Sequence, residues 1–233
     1  MGINKKALVT GSAGGIGLAI ANALSEVGFE VVGVDVREAP KGSNFDQAHL
    51  DLSDPDAIAR FTQRHSEFDV LVNNAAVLVD RSLAETTLDD MQRLFEINMR
   101  APVLLTRELL VGMRQRGWGR IINISSVGAR TGGMSDTAVY NMTKAAIAAF
   151  TRFTARHEGR HGITSNAIAP GGVLTGMSAH LSQEQLAAFV ALIPIGRMAQ
   201  PEEVAGAAVF LASDSARFVT GVTLDVNGGM VMA

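Results

Sequence analysis

Short apolar, β-branched runs alternate along this chain with longer stretches whose apolar positions recur every three to four residues. The two periods predict strands and helices in turn. Strands are predicted at 7–10, 30–34, 49–52, 70–72, 121–124, 164–168 and 222–226, and helices at 16–27, 88–113, 140–156 and 201–211. A further helix opens at Ser53-Asp54-Pro55, where a side chain able to cap the first turn precedes a proline suited to it. Gly28 closes the first helix, and Pro102 is expected to bend the long one at 88–113. Repeated strand–helix alternation predicts an α/β fold with a doubly wound parallel sheet, flanked by helices on both faces. The 233 residues show no linker, repeat or low-complexity tract, so a single domain over 1–233 is expected.

Composition narrows the chemistry. The absence of cysteine excludes disulfides, thiolate catalysis and cysteine-ligated zinc or iron–sulfur centres. A net charge of −3 without a basic run gives no sign of a nucleic-acid partner. No uninterrupted apolar stretch is long enough for a membrane span, and segment 1–6 lacks a signal-peptide pattern, so a cytoplasmic protein is expected.

The first strand runs into Gly11-Ser12-Ala13-Gly14-Gly15-Ile16-Gly17 and then a helix. Such a Rossmann-type turn brings backbone N–H groups and a helix N-terminus against a phosphate, and missing side chains allow the close approach. Asp35 ends the second strand, where a carboxylate can accept hydrogen bonds from both ribose hydroxyls of an adenosine and repel a 2′-phosphate. The turn itself carries no cation, although Arg37 stands nearby. The cofactor expected from these residues is NAD, preferred over NADP.

The chain has one tyrosine, Tyr140, and one of its few lysines, Lys144, lies four residues on, which places the two on one helix face. A neighbouring ammonium lowers a phenol's pKa, so Tyr140 is expected to titrate well below a free tyrosine and to act as general acid or base. Ser126, just after a strand, is placed to hold a substrate oxygen near it, with Ser125 as its rival.

Together these segments resemble the short-chain dehydrogenase/reductase family, in the classical form of about 250 residues. The resemblance rests on Thr10-Gly-x-x-x-Gly-Ile-Gly17, Asp51-Leu52, Asn73-Asn74-Ala75, Asn98, Asn123-Ile-Ser-Ser126, Tyr140-x-x-x-Lys144 and Pro170-Gly171, in that order. It implies a catalytic set of Ser126, Tyr140 and Lys144, with Asn98 holding a water that relays protons to the lysine. It also implies that Lys144 bonds the nicotinamide ribose, that Asp51 contacts adenine beside Leu52, and that Asn73 lies on the ribose side. Val173 and Thr175, after Pro170-Gly171, would meet the nicotinamide amide and phosphates, while Gly11, Gly15, Ile16 and Gly17 would cradle the diphosphate. Ala76 stands where the family usually has glycine, and Ser126 and Tyr140 lie fourteen residues apart, one more than in many members. The substrate loop, about 174–195, is short. The family's habit of pairing the helices at 88–113 and 140–156 across subunits implies a homotetramer.

The expected reaction is hydride transfer between NAD(H) and a secondary alcohol or ketone. The alternative is a 3-oxoacyl thioester reductase using NADPH, and from another class a non-catalytic nucleotide sensor. Val127, Ala129, Thr131, Met134, Val139, Leu174 and Met177 suggest an uncharged pocket unless Arg130 turns inward, and Met198 and Leu181 are further candidates for its lining. His157-Glu158-Gly159-Arg160-His161 fits a zinc-protease pattern, but Gly159 and Gly162 weaken the helix it needs, so no metal is expected. Ser126 lacks the paired glycines of a hydrolase elbow, since Ile124 stands at one of the two positions.

Overall fold

The computed structural model describes residues 5–133, 136–176 and 182–232. The expected pocket residues Met134, Met177 and Leu181, part of the loop at 174–195 and most of segment 1–6 lie outside them. Seven strands form one parallel sheet: β1 (Lys6–Thr10), β2 (Glu30–Asp35), β3 (Asp46–His49), β4 (Val70–Asn73), β5 (Gly119–Ile124), β6 (Ile163–Pro170) and β7 (Thr223–Val226). Their order is β3-β2-β1-β4-β5-β6-β7, so chain direction across the sheet reverses between β1 and β4. In such sheets a crevice opens at that switch, outside the carboxyl ends of the strands.

Alternation along each strand sends side chains to opposite layers. Ala7 and Val9 of β1, with Val70 and Val72 of β4, pack under α1 (Gly15–Glu26), which is joined on that face by α8 (Pro201–Ala212). Leu8 and Leu71 pack on the other face with Ile58 of α2 (Pro55–Arg64) and Leu105, Leu109 and Met113 of α4 (Ala101–Arg116). The sheet is therefore covered on both faces, as its nearly all-apolar central strands require. Asp54 caps α2, accepting from the N–H groups of Asp56 at 2.8 Å and Ala57 at 3.0 Å, and Pro55 follows it. Among the described residues no helix is long and apolar enough to cross a membrane.

Three local expectations are corrected. The predicted strand at 49–52 pairs instead at Asp46–His49, in register with Val32–Asp35. Leu50 and Leu52 are buried as core anchors of the exit rather than as ladder residues. The predicted helix at 88–113 is α3 (Leu88–Phe95), a π turn at Glu96–Arg100, and α4. The irregularity precedes Pro102, which sits inside the first turn of α4. A proline brings no N–H to the carbonyl four residues back, here that of Asn98, and a π turn is one way to absorb such a gap. Finally, α7 (Gln183–Val190) lies in the segment expected to be a loop and α5 (Gly128–Thr131) in one given no element, flanking α6 (Ala138–Glu158) in the sequence. The start of α7 was legible, because Ser182 and Gln185 form a capping box.

Candidate active site

The glycine turn leaves β1 with Gly11 at φ +70° and Gly15 at φ +53°, both in the left-handed region that favours glycine. A Cβ on Gly17 would overlap the Gly11 carbonyl oxygen and crowd Asn74 Nδ2. The turn thus closes on itself so tightly that only glycine fits. Thr10 is its pivot: its hydroxyl accepts from the N–H groups of Asn74 and Ala75, each at 3.0 Å, and donates to Val72 O at 3.3 Å. Asn74 Nδ2 donates back to Thr10 O at 2.9 Å, sewing β1 to β4 across the switch. Ile16 is half-buried against the core behind the turn.

Thr175 lies over this turn, its Cγ2 3.2 Å from where a Gly15 side chain would begin. Val173 bridges to Ala199, and Gly171 is pressed against Asn227, where a Cβ would sit 2.9 Å from its Cα. Pro170 ends β6 and its carbonyl accepts from Val127 N–H at 2.8 Å, tying this segment to the serine loop. A cavity of about 660 Å³, bounded by Gly15, Leu18, Thr175, Leu186 and Pro201, opens beside the N-terminus of α1. A second, of about 570 Å³, is bounded by Val36, Asp51, Ser53, Val77 and Glu96. Backbone N–H groups at a helix N-terminus, a side-chain-free cradle and a cleft on either side fit a dinucleotide diphosphate with an adenine near Asp51.

Several residues behave differently from expectation. The Asn73 side chain is buried on the sheet face covered by α4 and donates to Asn123 Oδ1 at 2.8 Å, so it orders β4 against β5 instead of reaching a ribose. Leu52 is in the core, leaving only its backbone for an adenine. Asp51 accepts from the N–H and hydroxyl of Ser53, which hold its carboxyl below the usual range. Asp35 is buried and already accepts from Ala13 N–H and Arg37 N–H, each at 3.0 Å. The exposed Arg37 guanidinium pairs with Asp35 at 3.5 Å and ends 3.7 Å from where a Gly14 side chain would begin. A cation therefore stands at the turn after all, supplied from β2's exit rather than from the turn's own sequence.

The residues expected to serve as acid and base meet where β5, α6 and the π turn converge. The Ser126 hydroxyl lies near enough to the Tyr140 phenol to favour its ionised form, and Gly128 N–H donates to Ser126 Oγ at 3.0 Å. Ser125 is excluded from this partnership, because its hydroxyl is buried and donates to Lys144 O at 2.9 Å. Burial pushes the Tyr140 phenol up to about 12, against the Ser126 hydroxyl that pulls it down. The lowered value expected from Lys144 is not found. The ammonium is 5.5 Å from the ring centroid and donates to Ile124 O at 2.8 Å, so desolvation of the phenolate prevails. Lys144 is itself buried, which pushes it down to about 8. Its Nζ keeps donors beyond the one given to Ile124 O.

Asn98, on the π turn, is buried with its side chain committed. Oδ1 accepts from Val77 N–H at 2.9 Å, and Nδ2 donates to Val77 O at 2.9 Å and Thr143 Oγ1 at 3.1 Å. What remains of this residue for a water is the second lone pair of Oδ1 and the backbone carbonyl, to which Pro102 brings no N–H. Neither Thr143 nor Asn141, whose roles emerge only here, carried a sequence signal beyond lying between Tyr140 and Lys144.

Other readings lose their residues to structure. Both Glu158 oxygens accept from Arg114, at 2.7 and 2.6 Å, and the His157 ring packs on Phe153 at 4.3 Å, which leaves no zinc-protease geometry. Arg130 pairs with Asp225 at 3.1 and 2.9 Å rather than entering the pocket. Met198 is buried and Leu174 half exposed on the segment facing α7.

The chain is similar to known proteins along nearly its whole length. The family model described as enoyl-(acyl carrier protein) reductase matches residues 11–231. A 3-oxoacyl-[acyl-carrier-protein] reductase of Vibrio cholerae is 38% identical over 98% of each chain. A solved 3-oxoacyl (acyl-carrier-protein) reductase from Agrobacterium tumefaciens with NADP bound superposes with a TM-score of 0.88 at 32% identity, covering 97% of this chain and 93% of that one. A Beutenbergia cavernae structure, provisionally named an NAD(P)-dependent gluconate 5-dehydrogenase with NADP at low occupancy, reaches 0.92 at 34% identity over 97% and 96% of the two chains.

Proposed function

The chain belongs to the short-chain dehydrogenase/reductase family, and on that footing we propose that it reduces the 3-oxo group of an acyl thioester with NADPH. It is an oxidoreductase using a nicotinamide cofactor. The alternative weighed from sequence thus replaces NAD-dependent alcohol oxidation as the leading reading. The observation that carries it is the likeness to 3-oxoacyl reductases over 98% of each chain, in a structure that sets the Ser126 hydroxyl beside the Tyr140 phenol.

A bound reduced nicotinamide supplies the hydride. Ser126 donates a hydrogen bond to the carbonyl oxygen and holds it beside Tyr140. Tyr140, protonated at neutral pH, gives its phenolic proton to that oxygen as negative charge develops there. Lys144 would bond the ribose and stabilise the phenolate left behind, and the Asn98 carbonyl would seat the water that returns a proton through the lysine. Gly11, Gly15, Ile16, Gly17 and Thr175 would hold the diphosphate, Asp51 the adenine, and Val173 the amide. The ion pair with Arg37 offsets the Asp35 charge and leaves an exposed guanidinium for a 2′-phosphate.

The purified chain should oxidise NADPH with acetoacetyl-coenzyme A, followed by absorbance, and should turn over NADPH faster than NADH. Turnover of gluconate but not of the thioester would overturn the substrate reading. Arg37→Ala should raise KM for NADPH by roughly tenfold and leave NADH nearly unchanged, since one lost charged contact is worth about 1.4 kcal/mol or more. An equal effect on both cofactors would return the choice to Asp35 and NAD. A non-catalytic sensor would bind the cofactor and show no turnover with any carbonyl. Exposed Val111 on α4 and Phe153 on α6 support a homotetramer, and light scattering at the mass of one chain would contradict it. A cytoplasmic setting goes with this reading.

A further inference from the structure

Between Ser126 and Tyr140 the chain must turn back on itself. It does so through the short helix α5 and two consecutive left-handed glycines, Gly132 at φ +82° and Gly133 at φ +97°. Little in this segment is held by an apolar core: Ala129 and Val127 are half-buried, while Arg130 and Thr131 are exposed. Among the described residues, the buried Asn141 side chain docks it onto α6. Its Nδ2 donates to Gly132 O at 3.0 Å and to Thr137 Oγ1 at 3.0 Å. Its amide fills the space over both Gly128 and Gly133, where any Cβ would overlap its Oδ1 or Nδ2. Gly128 is also the residue whose N–H orients Ser126 Oγ. Asn141 is the immediate neighbour of Tyr140 on the rigid helix.

We propose that Asn141 is a positioning residue that sets the Ser126–Tyr140 geometry by locking Gly128 and the Gly132 carbonyl onto α6. The inference rests on the catalytic reading of Ser126 and Tyr140. No shorter or longer side chain does the same work. Aspartate keeps the shape but loses the donation to Gly132, and alanine leaves both glycines facing a gap. The lock acts on the angle of one hydroxyl, and errors of about 1 Å in such geometry cost up to roughly hundredfold in rate.

The test uses the single tyrosine. Protein labelled with [13C]tyrosine gives one Cζ resonance, that of Tyr140, read without substrate or turnover. Ser126→Ala should shift it by removing the hydroxyl that lies beside the phenol. Asn141→Ala should shift it in the same direction, lower kcat by roughly tenfold or more, and leave KM for NADPH within about twofold. In the Ser126→Ala background, Asn141→Ala should have no further effect on kcat, because its route of action is gone. Gly128→Ala should impair the wild type and be tolerated beside Asn141→Ala, which vacates the space for the new methyl group.

A wild-type resonance in Asn141→Ala, or a kcat loss that adds fully to that of Ser126→Ala, would overturn the proposal. Should Asn141→Ala not fold, Asn141→Asp carries the same resonance and additivity tests. Full activity of Ser126→Ala and Tyr140→Phe would instead sink the catalytic reading itself, whatever the Asn141 variants do.

Discussion

The two ends of the sheet are built from the same strands and treat charge in opposite ways. At the amino ends, charges close on one another. Lys6 reaches Glu30 at 3.0 Å and Glu67 at 3.1 Å, Arg116 binds Asp69 at 2.7 Å and Phe68 O at 2.6 Å, and Lys5 and Arg120 lie on either side of Trp118 at 3.5 and 4.1 Å from its ring. At the carboxyl ends the groups stay available. The glycine turn presents bare backbone, Arg37 is held only by a long contact, and the buried Lys144 ammonium has a carbonyl rather than a carboxylate as its partner. The difference teaches which end bears stability and which bears chemistry. Of the available groups, Lys144 is a desolvated charge until a ligand arrives, and it weakens the fold meanwhile.

Three substitutions would break or sharpen that contrast. The largest effect is expected from Tyr140→Phe, which removes the proton donor but little packing. kcat should fall by roughly 10²-fold or more while the thermal midpoint stays within a few degrees. Activity near wild type would remove Tyr140 from the mechanism.

Next comes Lys144→Met. Burial lowers the lysine from its ordinary 10.5 to about 8 in the folded chain. Between those values the unfolded chain binds more protons than the folded one, so wild-type stability rises with pH there, and below about 8 the whole penalty is present. The variant should be inactive yet more stable at pH 7, by about 2 kcal/mol, with the margin shrinking toward pH 10.5. Thermal melts of the cofactor-free protein across that range test it, and a variant less stable at every pH would contradict the assignment. The smallest effect belongs to the other end: Arg116→Ala should lower stability by about 1 kcal/mol and leave kcat and KM unchanged. Altered kinetics in denaturant-matched assays would show that the two ends are coupled.

Much of this was legible in the residues. The alternation of short apolar runs and helical stretches gave a parallel sheet with two covered faces, because the two periods are local properties of the chain. Gly11, Gly15 and Gly17 were readable because positive φ and close approach admit no other residue. Tyr140 and Lys144 were readable because a spacing of four places them on one helix face. Asn73 was misplaced for the complementary reason. Alternation along β4 turns its side chain to the face covered by α4, beside Asn123 on the neighbouring strand, a partner fifty residues away in sequence. The π turn was hidden too, since Pro102 signals an irregular helix but not how far upstream the irregularity falls.

The sequence by itself determined the fold class, the tight glycine turn after β1 and the placing of Tyr140 and Lys144 on one helix face, all of which follow from short-range geometry. Only the tertiary structure decided the rest. It chose Ser126 over Ser125 by spending the latter on the Lys144 carbonyl. It brought Arg37 over Gly14 beside an Asp35 already bonded. It kept Tyr140 a neutral acid, pushed up to about 12, because the lysine that shares its helix face is turned to Ile124. Hydrogen-bond partners and burial are set by segments distant along the chain. A side chain's identity is therefore a local fact, while its protonation and its freedom to meet a ligand are not.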